Sequence, residues 1–167
     1  MNNIKASQTF RSKILNPIKL KLYFLAKLPM ALLAGIKVKN ISDSESCVYL
    51  KYAYLNTNPF RSIYFACLQM AAEFSTGILC MQYLVDLPIK VSILIVENKA
   101  VFTKKAVGKI EFKSNDGLKI RETIQESIDS GEGRTVNVLS IGTDEKGDKI
   151  GEFYFTWSFK PRSRPKE

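Results

Sequence analysis

Between Glu45 and Asp86 the chain carries a single acid, Glu73, set in a run of apolar and small residues that reads as a helix. At about 100° per residue, Ser62, Gln69, Glu73 and Thr76 share a stripe about 60° wide, while Ile63, Cys67, Leu68, Met70, Ala71, Phe74, Ile78 and Leu79 cover the remainder. A solvent-facing helix shows a broader polar face, so this one is expected to be wrapped by other elements and its stripe to line a cleft. A carboxylate there is unfavourable unless it is paired or functional. The chemistry open to it is that of a general base or a nucleophile.

The sequence contains no histidine, which excludes Ser-His-Asp and Cys-His catalysis and the paired-histidine zinc motifs. Chemistry is left to carboxylates, amides, hydroxyls and backbone dipoles, and no metal or other cofactor is expected. Cys47, Cys67 and Cys80 are odd in number, lack a Cys-x-x-Cys spacing and sit among apolar neighbours. They read as reduced core residues of a cytoplasmic protein. The glycines at 131 and 133 approach a hairpin and do not form a phosphate loop, because no Lys-Ser/Thr follows them.

The elements that must position Glu73 follow from pattern. Residues 36–41 and 46–55 read as two antiparallel strands, the second with Val48, Leu50, Tyr52 and Tyr54 alternating against Tyr49, Lys51 and Ala53. Asn56, Asn58 and Pro59 mark a loop, Ser62 is placed to cap the helix that follows, and that helix is expected to run to about Tyr83. Beyond Pro88 the periodicity turns to strands at 91–98, 101–104 and 109–113, a short helix at 118–128, and two long strands at 134–143 and 149–160. Phe153, Phe155, Trp157 and Phe159 share one face of the last strand, as core or dimer interface. An antiparallel sheet curling around one apolar helix buries these pieces economically.

With 167 residues and 46% hydrophobic content, the chain suits one domain. Its net charge of +9 is uneven: Lys5, Arg11, Lys13, Lys19, Lys21, Lys27, Lys37 and Lys39 all precede the first acid, Asp43. We divide the chain into a basic amphipathic helical segment at 1–30, a single domain at 31–160 and a basic tail at 161–167. Phe10, Ile14, Ile18, Leu22 and Leu25 recur at helical spacing, predicting an amphipathic helix over about 10–28, with Pro17 able to start a second segment. The expectation is that its apolar face packs onto the domain, with peripheral membrane contact as the lesser alternative. The apolar run 24–36 is too short to span a bilayer and is interrupted by Lys27 and Pro29, which disfavours a signal peptide. Nucleic-acid binding is disfavoured, because the basic residues are not interleaved with aromatics on a sheet.

Several motifs together resemble a known superfamily. They are Asn56-Thr57-Asn58 before the helix, Ala72-Glu73 with Gly77 one turn on, Phe102 through Phe112, and Asp144 to Gly147 leading to Gly151 through Phe155. Across roughly residues 25–160 the chain resembles the hotdog-fold thioesterases, and within them the DUF4442 family related to the PaaI-like thioesterases. The resemblance implies an α+β hotdog fold: an antiparallel sheet wrapped around a long central helix, here with an N-terminal helical segment and a short inserted helix. It also implies a homodimer joined sheet edge to sheet edge, with a dimer of dimers as a further assembly, and acyl-thioester sites at the subunit interface.

Carried onto this chain, the resemblance makes Glu73 the base or nucleophile, the backbone N–H of Phe65 the donor to the thioester oxygen, and Asn58 the orienting amide. One departure is plain: the His-Gly-Gly of many relatives corresponds here to Tyr64-Phe65-Ala66. Asn56, Ser62, Gln69 and Thr76 are candidates for substrate contact, and Arg61, Lys104 and Lys105 for the phosphates of coenzyme A. The expected activity is hydrolysis of an acyl-coenzyme A or related thioester; the alternative is an acyl or coenzyme A binder without turnover.

Overall fold

The computed structural model describes residues 4–162; residues 163–167, most of the expected basic tail, lie outside them. Three short helices open the chain: α1 (Ile4–Leu15), α2 (Pro17–Lys27) and α3 (Pro29–Ala34). Strands β1 (Lys37–Ile41) and β2 (Ser46–Lys51) lead through a single 3₁₀ turn at Tyr54–Asn56 to the long helix α4 (Phe65–Leu84). There follow β3 (Val91–Phe102), β4 (Lys109–Ser114), α5 (Gly117–Ser130), β5 (Arg134–Thr143) and β6 (Lys149–Pro161). The six strands form one antiparallel sheet in the order β1-β2-β4-β5-β6-β3.

The inner face of the sheet is read directly from alternation. Along β6, Phe153, Phe155, Trp157 and Phe159 are buried while the residues between them are only half-covered. Against that face lies α4, with Ala71, Ala72, Ile78, Leu79 and Cys80 wholly enclosed. Its far side is covered by the N-terminal helices: the Phe24 and Phe74 rings meet edge-on with centroids 5.0 Å apart, the Ser7 hydroxyl donates to the Gln82 carbonyl at 2.9 Å, and Arg11 Nε donates to Gln82 Oε1 at 2.8 Å. The central helix is thus enclosed on two sides, as its narrow polar stripe requires. All three cysteines are buried and unpaired, and burial raises their thiols, Cys47 to about 11, which leaves them poor nucleophiles.

Four expectations change. The helix expected over 10–28 begins earlier, at Ile4, and divides at Pro17, where a second segment could start: Asn16 caps the new helix by accepting from the N–H groups of Ile18 and Lys19, and Pro17 occupies its first position. This break shifts the helical phase: Phe10 and Ile14 face the protein, but on α2 the inward residues are Leu20 and Phe24, and Ile18, Leu22 and Leu25 point to solvent. Strand β2 stops at Lys51, where the Asn56 side chain takes the Lys51 carbonyl and the Ala53 N–H. The expected strands at 91–98 and 101–104 are one strand, β3, which skips Val96 in its register with β6 and continues. Finally, Ser62 does not cap α4. Its N–H and hydroxyl both donate to Asn58 Oδ1, and the cap position falls to Tyr64.

Helix α5 packs beside α4 against β5 and β6, buries Ile120 and Ile124, and enters at Gly117, whose N–H donates to the Ser44 carbonyl at 2.9 Å. A Cβ at Gly117 would overlap the Asp43 carbonyl oxygen, part of a backbone that cannot swing aside. Gly117→Ala is therefore expected to destabilise the protein by about 1–3 kcal/mol, read as a lower urea midpoint at unchanged slope.

Candidate active site

Glu73 sits in the third turn of α4, where the helix passes between the inner face of β6 and the corner joining α2 to α3. Its carboxylate makes no hydrogen bond or ion pair to any described residue, and it borders a cavity of about 330 Å³ walled by Lys27, Leu28, Pro29, Met30, Met70 and Phe74. Lys27 lines the same cavity without pairing to the acid. Burial with no compensating donor pushes the carboxyl up to about 7, so at neutral pH it exchanges readily between acid and base. Nearby, the Tyr23 hydroxyl and Cys80 thiol are raised, chiefly by burial and then by the charge of Glu73.

The room around the carboxylate comes from Gly77. A Cβ there would stand 3.2 Å from Glu73 Oε1 and 3.7 Å from the Trp157 ring. Trp157 is fixed in turn: its Nε1 donates to Thr76 Oγ1 at 3.0 Å, and that hydroxyl donates to the Glu73 carbonyl at 2.9 Å. Thr76 thus serves the backbone that carries Glu73, fully buried behind the acid. Gln69, one turn earlier, reaches Asn98 Oδ1 on β3 at 3.4 Å.

At the other end of the stripe, α4 begins at Phe65 without a side-chain cap. The Tyr64 carbonyl accepts from the N–H groups of Cys67 and Leu68, which leaves those of Phe65 and Ala66 at the free, positive end of a 20-residue helix. The Phe65 ring is 56% exposed, turned outward beside Tyr64 and Phe102, so its bulk does not cover its own N–H from within the fold. Eight residues separate Phe65 from Glu73, about 12 Å along the axis.

The remaining candidates scatter. Asn58 Oδ1 accepts from the Phe60 N–H at 2.9 Å and from Ser62, and its Nδ2 donates to the Ile63 carbonyl at 3.4 Å, so the amide is occupied in building its own loop. Asn56 is 2% exposed and bonds the Ala34 and Lys51 carbonyls. Lys104 is held between Asp144 and Asp148, at 2.6 Å from each. Arg61, in a left-handed backbone conformation at φ 58°, and Lys105 are exposed cations that no acid among the described residues pairs. Sequence reasoning missed the wall formed by Lys27 to Met30, since nothing local to those residues tells that they meet Glu73. Gly77, one turn after the acid, was the legible trace of the space.

Among solved structures the chain is similar to a Pseudomonas aeruginosa protein of unknown function described as a "probable thioesterase", at TM-score 0.73 and 19% identity, covering 90% of this chain and 99% of that one. The fold is the hotdog fold. A Chlorobaculum tepidum protein of unknown function is similar at TM-score 0.71 and 11% identity, over 89% of this chain and 99% of that one. The E. coli PaaI protein from the phenylacetic acid degradation operon is similar at TM-score 0.62 and 9% identity, over 91% of this chain and 94% of that one. No protein-family model matches the sequence, and no curated protein matches it at significance. Within the hotdog, α4 is the helix that the sheet wraps, and Glu73 is its single acid.

Proposed function

We propose that this hotdog protein is a thioester hydrolase of the PaaI-like and DUF4442 type, with Glu73 as the base and an acyl-coenzyme A as the substrate class. The observation that carries the reading is the unpaired Glu73 carboxylate beside an apolar-walled cavity, poised near neutrality. Glu73 takes a proton from water, the water oxygen adds to the thioester carbonyl, and the oxyanion is held by the Phe65 N–H at a helix N-terminus. On collapse the carbon–sulfur bond breaks, and the thiolate recovers the proton from Glu73, leaving a carboxylic acid and free thiol.

The distance of about 12 Å between Phe65 and Glu73 along one helix is too long for one carbonyl to touch both. The site is therefore composite, Glu73 of one protomer meeting the α4 N-terminus of a second. Strand β3 favours such a homodimer: it is 12 residues long, pairs among the described residues only with β6, and exposes Leu94 and Val96 at the sheet's edge. Sedimentation is expected to return about twice the chain mass of 18.9 kDa; a monomer at assay concentration would refute the composite site. Arg61 and Lys105 are the cations left for coenzyme A phosphates.

The test is thiol release from short, medium, long and aromatic acyl-coenzyme A esters, with turnover expected for at least one class. A second reading, ligand binding without turnover, is favoured by the occupied amide of Asn58. Tight binding of an acyl-coenzyme A with no thiol release across the panel would select it.

A further inference from the structure

Helix α2 has two apolar faces, and only one is used. Leu20 and Phe24 are buried, while Ile18, Leu22 and Leu25 on the opposite side are 70%, 61% and 64% exposed. At about 100° per residue these three lie within about 60° of one another, with Lys19 on one flank and Lys21 on the other. At the next corner, Met30 and Leu33 extend the patch at 61% and 51% exposure. A stripe of this kind on a soluble domain marks a surface that another phase or molecule covers.

What covers it is indicated by charge. Lys19 and Lys21 flank the stripe and Lys13 stands at the neighbouring groove; all three are exposed and pair with no acid among the described residues, and no acidic residue occurs in the chain before Asp43. Between α1 and α2 an apolar groove of about 380 Å³, floored by Phe10, Ile14 and Tyr23, opens with Lys13 and Lys19 on its rim. Apolar side chains projecting outward between lysines match the acyl and anionic headgroup layers of a bilayer leaflet. No described helix is long and apolar enough to cross a membrane, so the match is to a surface.

We propose that the α2–α3 face docks the protein on an anionic lipid bilayer, with Ile18, Leu22, Leu25 and Met30 inserted and the flanking lysines at the headgroups. Leu28 and Met30 also wall the Glu73 cavity, so docking sets the mouth of that cavity at the lipid surface. This last point rests on the thioesterase reading and implies a substrate with a long, membrane-partitioning acyl chain; the docking itself does not depend on it.

The experiment is flotation of the full chain with vesicles of phosphatidylcholine alone and of phosphatidylcholine mixed with phosphatidylglycerol. The protein is expected to float with the anionic vesicles only and to be released by about 1 M salt, where the screening length falls to about 3 Å. The exposed triple variant Ile18→Ser/Leu22→Ser/Leu25→Ser, checked for native circular dichroism, is expected to lose about tenfold or more in vesicle affinity. Glu73→Gln should float like wild type, which separates docking from catalysis. The proposal is overturned if wild type stays with the dense fraction, or if the triple variant floats undiminished. It is equally overturned if the triple variant dissociates an oligomer that binds no vesicles, since the stripe would then be a contact between copies.

Discussion

Glu73→Gln is expected to lower thioester hydrolysis by about a thousandfold, with the loss in kcat and little change in acyl-coenzyme A binding. The amide keeps the shape of the carboxylate but cannot take a proton from water. With Glu73 as the proposed base, wild-type kcat is expected to rise with pH through about 7 and level off above it. Stability moves in the opposite direction. The folded carboxyl titrates above its unfolded value, so the favourable neutral form is fully present below the unfolded range near 4.5, and the contribution is lost as pH rises through about 7. The full swing is on the order of 3 kcal/mol, so the wild-type melting temperature should fall between pH 5 and pH 8, and the Glu73→Gln protein should show less of that fall. Unchanged turnover in the variant would remove Glu73 from the chemistry, while a flat stability profile in wild type would show the acid to be solvated.

Phe24→Ala is expected to cost about 3–5 kcal/mol, a large share of the stability of a domain this size. The ring is 1% exposed and stands edge-on to Phe74 of α4, so its loss opens a cavity where the helical layer meets the central helix. The same layer carries the α2–α3 corner that walls the Glu73 cavity, and turnover should fall along with stability. Leu22→Ala, two residues away on the exposed face of the same helix, should change stability by no more than about 0.5 kcal/mol. Urea denaturation of the two variants side by side measures the contrast. Equal effects would mean that the α2 phase is not as described.

Much of the fold was legible because its patterns are local. The single acid of α4 among apolar residues, the alternation of Phe153, Phe155, Trp157 and Phe159, and the turn from Asp144 to Asp148 each announce their element within a few residues. The candidate site was legible only at Glu73 and at the start of its helix. Asn58, Asn56, Thr76 and Lys104 have the residue types of binding groups, yet each is engaged: Asn58 by its own loop, Asn56 partly by α3, Thr76 by Trp157, and Lys104 by the β5–β6 turn. A side chain's type states what it can bond, and only its neighbours state whether that capacity is already used.

The sequence by itself determined that one apolar helix would be wrapped by antiparallel strands, that its one acid would line a cleft, and that no histidine would assist it. Periodicity and composition suffice there, since they act through the residue's own backbone and its transfer from water. The tertiary structure decided which face of α2 is buried, that β3 runs unbroken past Val96, and that Lys27 to Met30 enclose the carboxylate. Each depends on contacts between residues far apart in the chain, where a small phase shift at Pro17 or one skipped residue in a strand redirects every side chain beyond it.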